Sequence, residues 1–215
     1  FKPAVFDSVS RFVDASLKWF LVGFRRNLQL EQPHHIEVLG EKGTLQQILK
    51  PVCNEYCVPL TLSRGYASVP VFREMCTRFK QSGKEAMTLI VASDFDPEGL
   101  DLADDAVRTL RDRFGIPVQY HRVAVTEEQI SELDLKEDFN PAKETSTRFK
   151  SFVARTGSNA TWELEALPPE YLQKQLRSAI EANMDREVFE ATKQRELEEL
   201  VELQRIRREI VTSIG

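Results

Sequence analysis

Met87-Thr88-Leu89-Ile90-Val91-Ala92-Ser93-Asp94-Phe95-Asp96-Pro97-Glu98-Gly99 is the stretch on which the fold turns. Residues 87–92 are the most apolar of several short runs and read as a buried strand. On either side, short apolar runs alternate with stretches of helical periodicity. Residues 36–39, 58–62 and 118–123 read as further strands. Residues 44–56, 69–81 and 100–114 read as the helices between them, with Ser82-Gly83 and Gly115 as stops. Such alternation means βαβ units and right-handed crossovers, hence an α/β domain with a doubly wound, open parallel sheet flanked by helices. In this scheme Tyr56 and Tyr120 both fall within core elements.

Outward from that centre the pattern loosens. Val5, Phe6, Val9, Phe12, Val13, Leu17, Phe20, Leu21 and Phe24 recur at helical spacing before Gln32-Pro33 breaks the run. This is either an opening helix packed on the main domain or a connector to a preceding one. Thr126-Glu127-Glu128-Gln129 has the form of a capping box, residues 133–148 read as a polar loop, and residues 161–167 as a short extended piece. Pro168-Pro169 opens a long helical tract to the C-terminus, whose charged tail keeps Leu197, Leu200, Val201, Leu203, Ile206 and Ile210 at helical spacing. That tail is a solvated helix or a surface for a protein partner or self-association. The expected domains are residues 1–31, 32–182 and 183–215.

Composition fits a globular, non-fibrous chain: 41% hydrophobic and 29% charged residues, with 9 Gly and 10 Pro in 215. A net charge of −5 and a pI near 5.4 do not describe an all-round nucleic-acid binder, but a local basic surface counts for more than the total. Cys53, Cys57 and Cys76 lack the spacing of a disulfide framework or a zinc site. Cys53 and Cys57, four apart, are expected to share one helix face as buried thiols in a reducing, cytoplasmic setting. The apolar run 17–24 is too short to span a bilayer, so no membrane is expected. The chain starts at Phe1 rather than Met and is read as part of a longer protein.

Chemistry concentrates at strand ends. In an open parallel sheet, ligands bind beyond the carboxyl ends of the strands. Glu41 follows the first strand, and Asp94 and Asp96 follow the third. Two carboxylates about 4 Å apart repel by roughly 4 kcal/mol at an effective dielectric near 20. Three are therefore not expected to gather for stability, and Asp94→Ala is expected to leave the metal-free fold as stable or slightly more so. An all-oxygen set without histidine suits Mg²⁺, with Mn²⁺ as the alternative. Such an ion orients and polarises a phosphodiester. Asp-x-Asp alone is a weak signal because it often merely caps a helix. Asp-Phe-Asp-Pro-Glu-Gly after an apolar strand, with Gly40-Glu41-Lys42 upstream, is stronger.

The strand ending in Gly40-Glu41-Lys42, the Asp94-Phe95-Asp96-Pro97-Glu98-Gly99 element and Trp162-Glu163-Leu164-Glu165-Ala166-Leu167 together resemble the Toprim domain of primases, topoisomerases and OLD-type nucleases. They look closest to the A subunit of topoisomerase VI and its meiotic break-forming relative. The resemblance spans about residues 33–182. It implies a Rossmann-like Toprim fold in which Glu41 is the acid-base or metal-ligating glutamate and Asp94 and Asp96 bind Mg²⁺. It also implies DNA as substrate. Those A subunits cleave with a tyrosine on a preceding winged-helix domain, whereas the thirty residues ahead of the pattern here contain no tyrosine. Any cleavage by this chain is therefore expected to be hydrolytic, with Tyr66 the one exception to test.

Softer candidates surround this core. Arg64 and Gly65, after the second strand, are placed to hold a phosphate, or form a plain turn. Lys42 contacts phosphate or pairs with Glu41. Lys143 and Arg148 line a DNA path or a solvated loop. Glu163 and Glu165, alternating in a strand, share a face beside the metal or on the surface. Asp101, Asp104 and Asp105 read as dipole partners or solvated face. Two functions follow as expectations: a Mg²⁺-dependent DNA endonuclease or topoisomerase-like cleavage module, or a non-catalytic module binding DNA or a partner in a multi-subunit complex.

Overall fold

The computed structural model describes residues 5–63 and 69–214, and Arg64, Gly65 and Tyr66 lie outside them. The chain divides into two compact units, Gln32–Asp185 and the pair Phe1–Glu31 with Arg186–Gly215. In chain order the helices and strands are α1 (Val9–Val22), β1 (His35–Gly40), α2 (Gln46–Glu55), β2 (Leu60–Leu62), α3 (Val69–Ser82), β3 (Met87–Ala92), α4 (Pro97–Arg108) and β4 (Val118–Ala124). They continue with α5 (Glu127–Glu132), β5 (Asn140–Pro141), α6 (Phe149–Thr156), β6 (Ala160–Thr161), α7 (Pro169–Ala182) and α8 (Arg186–Ile214).

In the larger unit four parallel strands stand in the order β2-β1-β3-β4. β1 and β3 are buried at every position because neighbours and helices cover both edges and faces. One layer packs Leu39, Met87, Leu89 and Val91 against Phe72, Met75, Cys76 and Phe79 of α3 and Leu102, Ala103 and Ala106 of α4. The period-2 alternation turns Ile90 and Ala92 to the opposite face. Glu37 is fully buried on the α3 side, where Arg78 grips it through two bonds of 2.7 and 2.8 Å and His35 approaches at 3.0 Å. This paired charge ties α3 to β1.

Several expectations are revised. β4 is one edge of the sheet, and Tyr120 is 36% exposed, unlike the buried Tyr56. The helix after Asp96 starts at Pro97, earlier than residue 100, because Asp96 caps it and proline suits the first turn. Residues Thr109–Arg113 then widen into a π-helical turn. α2 stops at Glu55, so Cys57, at φ 54°, leaves the helix and is half-exposed while Cys53 is buried. Residues 161–167 are not a continuous strand, since Leu164–Ala166 coil into a 3₁₀ turn. The C-terminal tract is two helices: buried Gln32 takes the Asp185 N–H at 2.7 Å and donates to its carbonyl at 2.9 Å, holding the break.

In the smaller unit α1 and α8 pair through Arg207–Asp14 at 2.6 Å, and the segment after α1 adds Arg26–Glu199 at 2.5 Å and Arg195–Glu31 at 2.6 Å. Val9, Phe12, Trp19, Leu197 and Val201 are exposed there. Among the described residues no helix is long and apolar enough to cross a membrane.

Candidate functional site

The chain passes from β1 to β2 on one side and returns to β3 on the other, so the strand order reverses between β1 and β3. That reversal opens a crevice at their carboxyl ends. Glu41 leaves β1 there, and Asp94 leaves β3. Glu41 Oε2 accepts the Asp94 N–H at 3.0 Å, and the Glu41 N–H donates to the Ala92 carbonyl at 3.0 Å. Glu41, Asp94 and Asp96 all line one cleft of about 730 Å³, with Glu98, Asn140, Lys143, Trp162 and Glu163 among its walls.

Asp-Phe-Asp is held extended by a partner that sequence reading missed. Phe95 and Trp162 form an antiparallel bridge through bonds of 2.8 and 3.1 Å. Extended geometry sends alternate side chains to one side, which places Asp94 and Asp96 together on the cleft. Phe95 turns the other way, edge-on to Phe152 and Trp162 at 5.8 Å each. The β6 strand just before Trp162 is itself anchored on β5.

Each carboxylate gives one oxygen to a backbone N–H. Asp94 Oδ1 takes Leu164 N at 2.8 Å, Asp96 Oδ1 takes Gly99 N at 2.6 Å, and Glu41 Oε2 takes Asp94 N. Asp94 is therefore a structural acceptor too, a bond that the expectation of unchanged stability did not weigh. Asp94 Oδ2 meets the Lys42 ammonium at 2.8 Å. Lys42 does not pair with Glu41; it reaches Glu165 at 3.0 Å and Glu163 at 3.6 Å. Both glutamates thus arrive at the site edge through Lys42, despite the 3₁₀ turn.

Burial, reinforced by Asp94 and Asp96, pushes the Glu41 carboxyl up to about 7. Burial also raises Asp96, with the charges of Asp94 and Glu98 adding to it. Burial alone would lower Lys42, but its bonds to Asp94 and Glu165 hold the ammonium above its ordinary range. Among the described residues no three His, Cys, Asp or Glu side chains form a ready-made metal cage.

A second residue missed from sequence is Arg122 on β4. Its guanidinium donates to the carbonyls of Val125 at 2.8 Å, Gly99 at 3.1 Å, Ser93 at 3.1 Å and Asp94. Burial pushes it down to about 10, with Glu41 and Asp96 opposing, so it stays charged at neutral pH. An arginine fork directed at carbonyls fixes the path of the acidic loop. A β-strand arginine gives no motif by which to find it.

Other candidates are accounted for. Ser63 donates its N–H to the Gly40 carbonyl at 2.9 Å, while the candidates Arg64 and Gly65 lie outside the described residues. Arg148 pairs with Asp101 at 2.6 Å and Arg155 with Asp104 at 2.8 Å, so these acids join α4 to α6. Lys143 lines the cleft. Tyr56 bonds Glu181 and Tyr171 bonds Glu132, both outside the cleft lining. No protein-family model matches this sequence, and no curated protein matches it.

Proposed function

We propose that residues 32–185 are a Toprim-type domain that holds Mg²⁺, or Mn²⁺, at Glu41, Asp94 and Asp96 and cleaves the DNA backbone as a module of a larger DNA-processing protein. The observation that carries the reading is the junction of Glu41 with Asp94 where the strand order reverses, with Asp96 in the same cleft.

The donor chemistry fits the ion. All the groups are oxygens, and Mg²⁺ is commonly seated by one or two carboxylates with water and phosphate completing its shell. Two carboxylates with an outward oxygen suffice, so a ready-made cage is not required. An acidic cleft repels a polyanion, which argues for a cation between them. Bound there, the ion supplies Lewis-acid polarisation of the phosphodiester.

The chain's own groups do the rest. Without an ion, burial raises Glu41 to about 7; it is either a ligand that a bound cation would keep charged or, left free of the ion, a group for general acid-base work. Arg122 and the Phe95–Trp162 bridge keep the loop in place. Lys143 faces the cleft as a phosphate contact.

The test is to incubate the chain with end-labelled DNA and Mg²⁺ or Mn²⁺. Hydrolytic products from the wild type, lost in Glu41→Gln and Asp94→Asn, support the reading. Label that survives denaturation on the protein and disappears in Tyr66→Phe overturns the hydrolytic part. A second reading, a non-catalytic DNA- or partner-binding module, is favoured by Lys42, which already neutralises Asp94 without a metal. DNA binding that is indifferent to divalent ions, with no cleavage, selects it.

A further inference from the structure

We propose that the outward face of α8 is a contact surface for a second copy of this chain, packed antiparallel about a two-fold axis level with residue 199. In sequence Leu197, Leu200, Val201, Leu203, Ile206 and Ile210 share one helical spacing, but the folded helix divides them. Leu200, Leu203 and Ile210 are half-buried on the side where Arg207 meets Asp14 of α1 and Glu199 meets Arg26. Leu197 and Val201 lie on the opposite side, 58% and 64% exposed.

The residues around that apolar pair decide what covers it. At heptad spacing the outward stripe runs Glu190, Gln194, Leu197, Val201, Gln204 and Arg208, all exposed. Its alternating steps of four and three keep it on one face for about 27 Å of helix. Read backwards, the stripe is complementary to itself. In an antiparallel pair centred on residue 199, Leu197 meets Val201 of the second copy, Gln194 meets that copy's Gln204, and Glu190 meets its Arg208. Each contact recurs across the axis, as a two-fold interface requires. Paired amides supply both donors and acceptors, and the charges that meet at each end are opposite. A parallel pair would instead set Glu190 on Glu190 and Arg208 on Arg208. The charge order thus names both the occupant and its direction.

Contacts within the helix leave these groups free to pair. Glu190 holds Lys193 at 3.3 Å and Gln194 donates to Glu198 at 3.0 Å, both exposed bonds that solvent screens. By contrast, the outer stripe of α1, with Val9, Phe12 and Trp19 exposed, has no such self-complementary order and names no occupant. The α8 contact holds only two kinds of buried layer, apolar and amide. Glu198 flanks the axis in each copy and adds a like-charge neighbour. Such an interface belongs at the small end of specific contacts, so the dimer forms reversibly, with a dissociation constant on the order of 10 µM.

The experiment is sedimentation of the full chain in low salt, over concentrations from about 1 to 300 µM, because the state of a weak dimer follows protomer concentration. The wild type is expected to pass from monomer to dimer, and Leu197→Glu to stay monomeric. Glu190→Arg is expected to weaken the dimer about tenfold, since it sets arginine against Arg208 at both ends. Combining Glu190→Arg with Arg208→Glu is expected to restore wild-type association. All three positions are exposed, and circular dichroism checks that each variant keeps its helices. A wild type that remains monomeric throughout overturns the proposal. A dimer untouched by Leu197→Glu also overturns it, because that dimer uses another face, such as the outer stripe of α1. If Leu197→Glu breaks the dimer but the single and double charge variants associate equally, the antiparallel register is overturned.

Discussion

Asp94 Oδ1 accepts the buried N–H of Leu164 across 2.8 Å, joining the end of β3 to the segment that forms the far wall of the cleft. Removing an acceptor from a buried donor costs about 1–3 kcal/mol. Asp94→Ala is therefore expected to lose that much stability in urea unfolding without divalent ions, whereas Asp94→Asn, which keeps an acceptor, loses less. Equal losses in the two variants would show that the N–H is not what matters.

Gly99 sits where a Cβ would come within 2.3 Å of the Asp94 carbonyl and 3.0 Å of Glu41 Oε2. A backbone oxygen cannot swing aside as a flexible side chain can. Gly99→Ala is expected to cost about 1–3 kcal/mol through forced overpacking and to weaken Mn²⁺ binding, because the acids move with the loop. Gly43→Ala is the control, since nothing lies within 4 Å of its added methyl. A Gly99→Ala protein melting with the wild type would refute the close approach.

Arg122→Lys keeps the charge but loses the planar fork. One ammonium cannot serve the carbonyls of Ser93, Asp94, Gly99 and Val125 together. The expected outcome is a stability loss on the order of 2 kcal/mol with a matching drop in Mn²⁺ affinity. Unchanged affinity with lowered stability would confine Arg122 to holding the fold.

Thiol reactivity tests the end of α2. Burial pushes the Cys53 thiol up to about 12, and Cys76 is buried, while Cys57 is half-exposed. A thiolate is the reacting species. At pH 8 a disulfide reagent should label one thiol per native chain quickly, and that label should map to Cys57. Rapid labelling of Cys53 would contradict the placement.

Much of the scaffold was legible because burial on both faces leaves a simple mark. Residues 87–92 read as a strand to the residue, and Glu41, Asp94 and Asp96, each singled out for following an apolar run, line one cleft. Position 120 misled, since an edge strand keeps β-favouring residues while one margin is open to solvent. The 3₁₀ turn at Leu164–Ala166 was missed because apolar-polar alternation over a few residues cannot separate strand from turn. Arg122 acts through backbone carbonyls distant in sequence, so no local pattern announces it; the 162–167 element was singled out, but not the bridge of Trp162 to Phe95 or the Leu164 N–H given to Asp94. The repulsion argument for Asp94 left out that same N–H.

The cleft is closed by contacts spanning 70 residues from Asp94 to Leu164 and 123 from Lys42 to Glu165. On the ribosome, all four strands of the sheet are made before either Trp162 or Leu164 exists. A nascent chain halted before β6 therefore carries the acidic loop without its bridging strand, without the donor for Asp94 and without the glutamates beside Lys42. Domains tend to fold as their chain emerges, so the sheet can form early while the acidic end waits for the last part of the domain. Whatever chemistry the cleft performs is thereby withheld from incomplete translation products.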